Sequence, residues 1–339
     1  MNTDYRWIGA AALCLASFAL APPARSAGLT LARDGWTTWQ VAAVDGAPEW
    51  CCWSETSWSD SAGFRAAPSA PCRLDSGRQN YGSRDDATTD VVRIYARTAG
   101  GTIDRLRVFS ASCPVTTRMP VQDLGTVPAD DSARWLSDLA QQRNGTVTRQ
   151  IEEDVLAALA INRGDIARDS VAGIARTDAR VETRKRAVFW LALLRGREGA
   201  DITSSIMFND KSADVREHAA FALGQSKSPR AAADLIRLGN TDAADEVRAQ
   251  AWFWLAHTAA AGSENAIFAA LHQEHDSDVR ERALFALSRL PGERSTRALI
   301  SATEDRSLSR DLRKRALFWL SQSDSDAAQA YLEQVLTAN

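Results

Sequence analysis

From about Gln150 to the C-terminus, apolar and polar residues alternate in a block that the chain writes five times. The block reads ETRKRAVFWL from Glu182, DVREHAAFAL from Asp214, EVRAQAWFWL from Glu246, DVRERALFAL from Asp278 and DLRKRALFWL from Asp311. Apolar side chains fall at the internal alanine, one turn before it and one turn after, as in Val215, Ala219 and Leu223 or Val279, Ala283 and Leu287. That spacing puts them on one face of a helix. The marker alanines Ala187, Ala219, Ala251, Ala283 and Ala316 stand 32, 32, 32 and 33 residues apart. A fixed period of this length predicts stacked helix pairs, because one pair cannot bury its apolar face alone.

The second helix of each pair is marked by two apolar residues that follow the alanine at constant distance: Leu235-Ile236, Ile267-Phe268 and Leu299-Ile300. One period before Ala187, the stretch around Ile151, Val155 and Leu159 keeps the register, but Glu152 takes the arginine slot. This reads as a degenerate first repeat, and the array is expected to hold about six helix pairs over residues 150–339. An acid opens each first helix (Glu182, Asp214, Glu246, Asp278, Asp311), where it complements the helix dipole. An arginine follows two residues on (Arg184, Arg216, Arg248, Arg280, Arg313), and the two rows are expected to form a ladder of alternating charge. The phenylalanine slot (Phe189, Phe221, Phe253, Phe285, Phe318) is expected to be core. The slot after it alternates Trp190, Ala222, Trp254, Ala286, Trp319.

Ahead of the array the pattern changes to period two. Trp39, Val41 and Ala43 alternate with polar or small neighbours, as in a half-buried strand. Residues 90–97 and 103–109 predict two further strands joined through Thr98–Thr102. With residue 97 facing residue 103, Val92, Ile94, Leu106 and Val108 point inward. Arg93, Tyr95, Arg97, Arg105 and Arg107 then share the other face. That face is expected to be solvated or paired with acids elsewhere; Arg93, Tyr95, Arg105 and Arg107 are the candidate patch for an acidic ligand. Thr126–Asp131 reads as a linker, with Ser132 capping a lead-in helix that ends near Asn144-Gly145.

The first residues stand apart. Arg6, the uncharged run Trp7–Ala21 and the small residues through Ala27 have the layout of a secretory signal peptide, cleaved after residue 26. The division is then 1–26 signal, 27–128 β domain, 129–149 linker and lead-in helix, and 150–339 repeats. Without the signal, four cysteines remain: Cys51, Cys52, Cys72 and Cys113, all in the β domain. An even count in an exported domain predicts two disulfides. Cys51 and Cys52 would each reach out, to Cys72 and Cys113, in either of two pairings. Five tryptophans (Trp36, Trp39, Trp50, Trp53, Trp58) crowd the same domain and are expected to pack around those bonds, with a platform for sugar or peptide as the alternative.

Composition narrows the function. The balance of 40 basic and 43 acidic residues argues against a general nucleic-acid binder, and no stretch after the signal is long and apolar enough to span a bilayer. No Gly-x-Ser-x-Gly, Walker loop or dinucleotide fingerprint occurs, and His272 and His275 are the one weak metal pair. No cofactor, metal or catalytic residue is assigned. The repeat's acid, Val-Arg, alanine and closing Leu-Gly or Leu-Ser resemble a HEAT repeat of the short type found in bilin lyases and many bacterial proteins. The resemblance covers about Gln150–Asn339 and implies an all-α HEAT-like solenoid; with the disulfide-bonded β domain read from the residues ahead of it, the chain is expected to be α+β. The resemblance also implies a binding surface more than an enzyme. The HEAT-like deoxyhypusine hydroxylases hold iron through His-Glu dipeptides, and none of His218, His257, His272 or His275 is followed by glutamate.

The expectation is therefore a periplasmic or secreted non-enzymatic scaffold that takes a protein or peptide on a concave face lined by the second helices. Asp234, Arg237, Asn265, His272, Arg297 and Ser301 are its candidate contacts, because these slots vary while the first helices repeat. The alternative is an envelope enzyme, or a binder of glycan or acidic ligands, with its site in the Trp-rich domain.

Overall fold

The structure, a computed structural model, describes residues 29–52, 71–76, 81–82, 87–141 and 149–337. The signal-like segment, Trp53 and Trp58 lie outside these residues. The β part is built on one four-stranded sheet in the order β6-β5-β1-β8. Its strands are β1 (Gly35–Ala42), β5 (Val91–Ala99), β6 (Thr102–Ser110) and β8 (Val121–Thr126). Four two-residue strands complete it: β2 (Cys51–Cys52), β3 (Cys72–Arg73), β4 (Tyr81–Gly82) and β7 (Val115–Thr116).

Period-two alternation sorts the sheet's side chains onto two buried faces. Trp39, Val41, Val92, Ile94, Leu106 and Val108 face the helices, in one core that runs on to Ala328. Trp36, Tyr95 and Phe109 face the other way, against Cys51, Cys72, Cys113 and Leu74. The disulfides join Cys51 to Cys113 and Cys52 to Cys72, which settles the pairing. They staple a cap over the face of the sheet remote from the helices.

Two details of the sequence reading change here. The hairpin turns at Gly100 and Gly101, both at positive φ, and a bulge after Arg97 moves the register. Arg97 faces Arg105 and Tyr95 faces Arg107, so Arg93 stands opposite Phe109 instead of Arg107. The linker is also shorter than expected. Val121–Thr126 is the parallel edge strand β8, and helix α1 (Ala129–Gln141) begins directly after Pro128. Ser132 is therefore inside the helix and buried. Its hydroxyl accepts the Trp39 indole N–H at 3.0 Å.

Six pairs follow α1. The first helices are α2 (Arg149–Ile161), α4 (Val181–Leu194), α6 (Ala213–Gln225), α8 (Asp245–His257), α10 (Ser277–Ser288) and α12 (Arg310–Ser321). The second helices are α3 (Asp165–Thr177), α5 (Gly196–Asn209), α7 (Ala231–Thr241), α9 (Ser263–Gln273), α11 (Glu293–Glu304) and α13 (Asp326–Thr337). All five marker alanines are fully buried, where their small size lets helices approach. The sheet joins the array through β6 on α2 and through a buried ion pair, Arg107 Nη1 to Asp154 Oδ2 at 2.8 Å.

Consecutive first helices lie close along their length, α4 on α6, α6 on α8 and α8 on α10, whereas consecutive second helices barely meet. A stack that is tighter on one side bends toward it. The first helices thus line the inner curve, which the sequence reading had given to the second helices.

Candidate functional site

Two rows of side chains run along the array, one unit per repeat. The first is the arginine row. Arg184 donates to Asp210 from Nε and Nη2 at 2.9 and 3.0 Å, and from Nη1 to the Asp178 carbonyl at 2.9 Å. Arg216 holds Asp242 and the Asp210 carbonyl in the same fork, and Arg248 holds Glu274 and the Asp242 carbonyl. Each guanidinium thereby staples the C-cap of its own second helix to that of the preceding pair. The partners differ from those expected: the bridging carboxylates come from the C-caps, and only Arg248 also bonds a first-turn acid, Asp245, at 2.6 Å. Both members of the Arg184–Asp210 pair are buried, at 3% and 6% side-chain exposure. At the next C-cap the pattern changes, and Asp305 accepts His272 Nε2 at 3.0 Å.

The second row is aromatic and lies on the inner curve. Trp50 of the β part meets Trp190 at 5.6 Å between ring centroids, and Trp190 meets Phe189 at 5.1 Å. Phe189 stacks on Phe221 at 5.7 Å and Phe221 meets Trp254 at 4.8 Å. Trp254 touches Phe253, which stacks on Phe285 at 5.9 Å. Phe285 reaches Trp319, and Trp319 meets Phe318. The result is an unbroken line of nine rings from the β part to the last pair. Trp254 and Trp319 each span to the phenylalanine of the repeat before, and Trp190 spans to Trp50 of the β part. Gly224 leaves room for one of them, since a Cβ there would sit 2.9 Å from the Trp254 side chain.

This row is not core, contrary to the sequence reading. Phe189, Phe221, Phe253 and Phe285 are half-buried, and Phe318 is 55% exposed. The ring contacts hold the row in place; Trp50 is buried, and each of the eight helical rings keeps an edge or face open. His218 packs 5.2 Å from Phe221, and burial, with Lys185 nearby, lowers its pKa to about 4. At neutral pH it is an uncharged part of the aromatic row.

The remaining candidates are placed as follows. Asn265, Arg297 and Ser301 come together with Phe268 around a groove of about 320 Å³ between α9 and α11. Asp234, Arg237 and His272 do not join them. Asp234 is buried near Arg230, the Arg237 guanidinium lies over the Phe208 ring at 4.3 Å, and His272 is paired with Asp305. A polar cleft of about 820 Å³ between α7 and α9 is lined by Asp242, Arg248 and Glu274, whose charges are already matched in the arginine row.

The hairpin patch is consumed internally. Arg93 pairs with Asp123 at 2.7 Å, Arg97 forks onto Asp104, and Arg105 donates to the carbonyls of Leu74, Asp75 and Ser76. Arg107 and Tyr95 are buried. Among the described residues no group of three or more His, Cys, Asp or Glu side chains is placed to hold a metal.

Residues 169–256 match the family model of HEAT repeats, and they lie within the repeat-like array of paired helices. Human deoxyhypusine hydroxylase in complex with glycerol is one similar solved structure, at 18% identity over 59% of this chain and 76% of that one, with a TM-score of 0.34. YibA of E. coli is another, at 19% identity over 61% and 77%, with a TM-score of 0.36. No curated protein matches the chain.

Proposed function

We propose that this protein is an exported interaction scaffold whose inner curve takes an extended segment of a partner protein. The observation that carries this is the line of nine contacting rings, of which the eight on the helices are ordered by the repeat yet left half-open to solvent. A packing residue has no reason to stay open in every repeat, and ordered exposed apolar surface of this extent marks an interaction site. Export is supported by the signal-like N-terminus, by two disulfides and by the absence of any described helix long and apolar enough to cross a membrane.

The alternative of a site in the Trp-rich domain loses most of its platform, because Trp36, Trp39 and Trp50 are buried. The groove of Asn265, Arg297 and Ser301 on the outer side remains the competing docking surface within the scaffold reading. The test is site-specific photo-crosslinking in the native envelope, with a benzophenone side chain placed at Phe253 or at Arg297. The proposal expects a partner band from position 253 and none from 297. A band from 297 alone overturns it in favour of the outer groove.

A further inference from the structure

Resting on the reading of the inner curve as the binding face, we infer that its middle stretch, on α6 and α8, seats a lysine or arginine side chain of the bound segment. Charge is unevenly spread along this face. On α4, Lys185 reaches Glu182 at 3.1 Å and Arg186 lies 3.7 Å from Glu153. Towards the other end, Arg315 bonds Glu281 at 3.0 Å. On α6 and α8 the only basic residues besides histidine are Arg216 and Arg248, and both are committed to the arginine row.

The same two helices carry Asp214, Glu217 and Glu246, none of which makes an ion pair among the described residues. Glu217 is half-buried, and burial pushes its carboxyl up; Asp214 and Glu246 add to the rise, while Lys185 on α4 and Arg282 on α10 offset part of it without reaching ion-pair distance. One repeat on from Glu217 stands Ala249, so the place taken by Lys185 in α4 is filled by a small side chain. His218 beside it is neutral and supplies no counter-charge.

Glu217 also lies one helical turn from Phe221, whose ring contacts Trp254. A cation against the faces of these rings is attracted by their quadrupoles. The same cation would neutralise a carboxylate that makes no close ion pair among the described residues, in surroundings where screening by water is reduced. Arginine adds stacking and bidentate hydrogen bonding to the match. An acidic or neutral side chain bound there would bury Glu217 further with nothing to offset it.

The probe is a displayed library of random twelve-residue peptides selected on the full chain, in parallel with a variant carrying E217Q and E246Q. Both positions are partly or fully exposed, so the variant should melt as the wild type does. We expect selected peptides to be enriched at least tenfold in Arg plus Lys over Asp plus Glu at one position, and the variant to lose that enrichment while still retaining peptides. Peptides retained by the wild type without a basic preference, or with a preference that survives in the variant, overturn the cation assignment and leave the scaffold reading intact. Failure of the wild type to retain any peptide counts against both. F221A supplies an independent arm: it should lower retention of the basic peptides at least tenfold, and unchanged retention overturns the role of the rings.

Discussion

The arginine row and the aromatic row are written by the same repeat, on the same helices, yet the protein treats them in opposite ways. Arg184 is sealed in a bidentate pair with Asp210 and a backbone carbonyl. Phe253, on the inner curve, is stacked but half-open. Recurrence therefore does not by itself separate fold from function. The separation comes from whether each repeated side chain finds its partners inside the molecule. Arg184, Arg216 and Arg248 close the repeat interface, whereas the helical rings form a continuous surface whose outer side is unmatched.

Breaking the closed row should produce the largest effect. Arg184→Met strands the Asp210 carboxylate in a buried site and should cost about 3–5 kcal/mol, read by urea unfolding. A loss under about 1 kcal/mol would mean that the row behaves as an ordinary surface ion pair. The open row should respond less. Phe253→Ala should cost about 1.5–2.5 kcal/mol, roughly half the figure for a fully buried phenylalanine. The full buried value would return this slot to the core.

A third prediction uses pH. Burial holds the folded-state pKa of His218 at about 4, below its ordinary 6.5. The unfolded chain therefore takes up the proton first, and stability rises with pH across this window. The contribution is complete above 6.5 and is lost as pH falls toward 4. His218→Asn should flatten that stretch of the stability profile; an unchanged slope would show that His218 is solvated. The acids of the closed row act lower. Burial raises the Asp242 pKa, but the Arg216 hydrogen bond and further contacts leave it below its usual value. Its contribution persists until pH drops beneath the ordinary carboxylate range. The smallest effect is expected on the outer side, where Arg297→Glu at a 70% exposed side chain should shift stability by under about 0.5 kcal/mol. A larger loss would give the second-helix surface a structural role that its loose stacking does not suggest.

The period-32 register, the six pairs, the inward faces of the strands and the existence of two disulfides were legible in the sequence because each depends on local spacing. What was missed depends on three-dimensional closure. The acids Asp178, Asp210, Asp242, Glu274 and Asp305 recur 32, 32, 32 and 31 residues apart. That signal was available, but the first-turn acids were nearer in sequence to the arginines and looked like their partners. Which helix lines the inner curve follows from the relative spacing of the two helix layers, and no single repeat encodes it locally. The half-exposure of the phenylalanines has the same origin, since an all-round apolar helix reads as buried until its neighbours are placed. The hairpin arginines required knowledge of a bulge after Arg97 and of acids far off in the chain, Asp123 and Asp154.

The difference between a closed and an open row can be measured within one helix. Trp252 and Trp254 are two residues apart on α8. Trp252 is 1% exposed and packs over Gly239, where a Cβ would fall 2.6 Å from its indole. Trp254 belongs to the half-open line of rings. Hydroxyl-radical footprinting with mass spectrometry on the folded, oxidised protein should show Trp254 modified at least several-fold faster than Trp252, with Phe318 among the fastest phenylalanines. Equal protection of Trp252 and Trp254 would contradict the account, because the aromatic row would then be core and the inner curve would offer no surface to a partner.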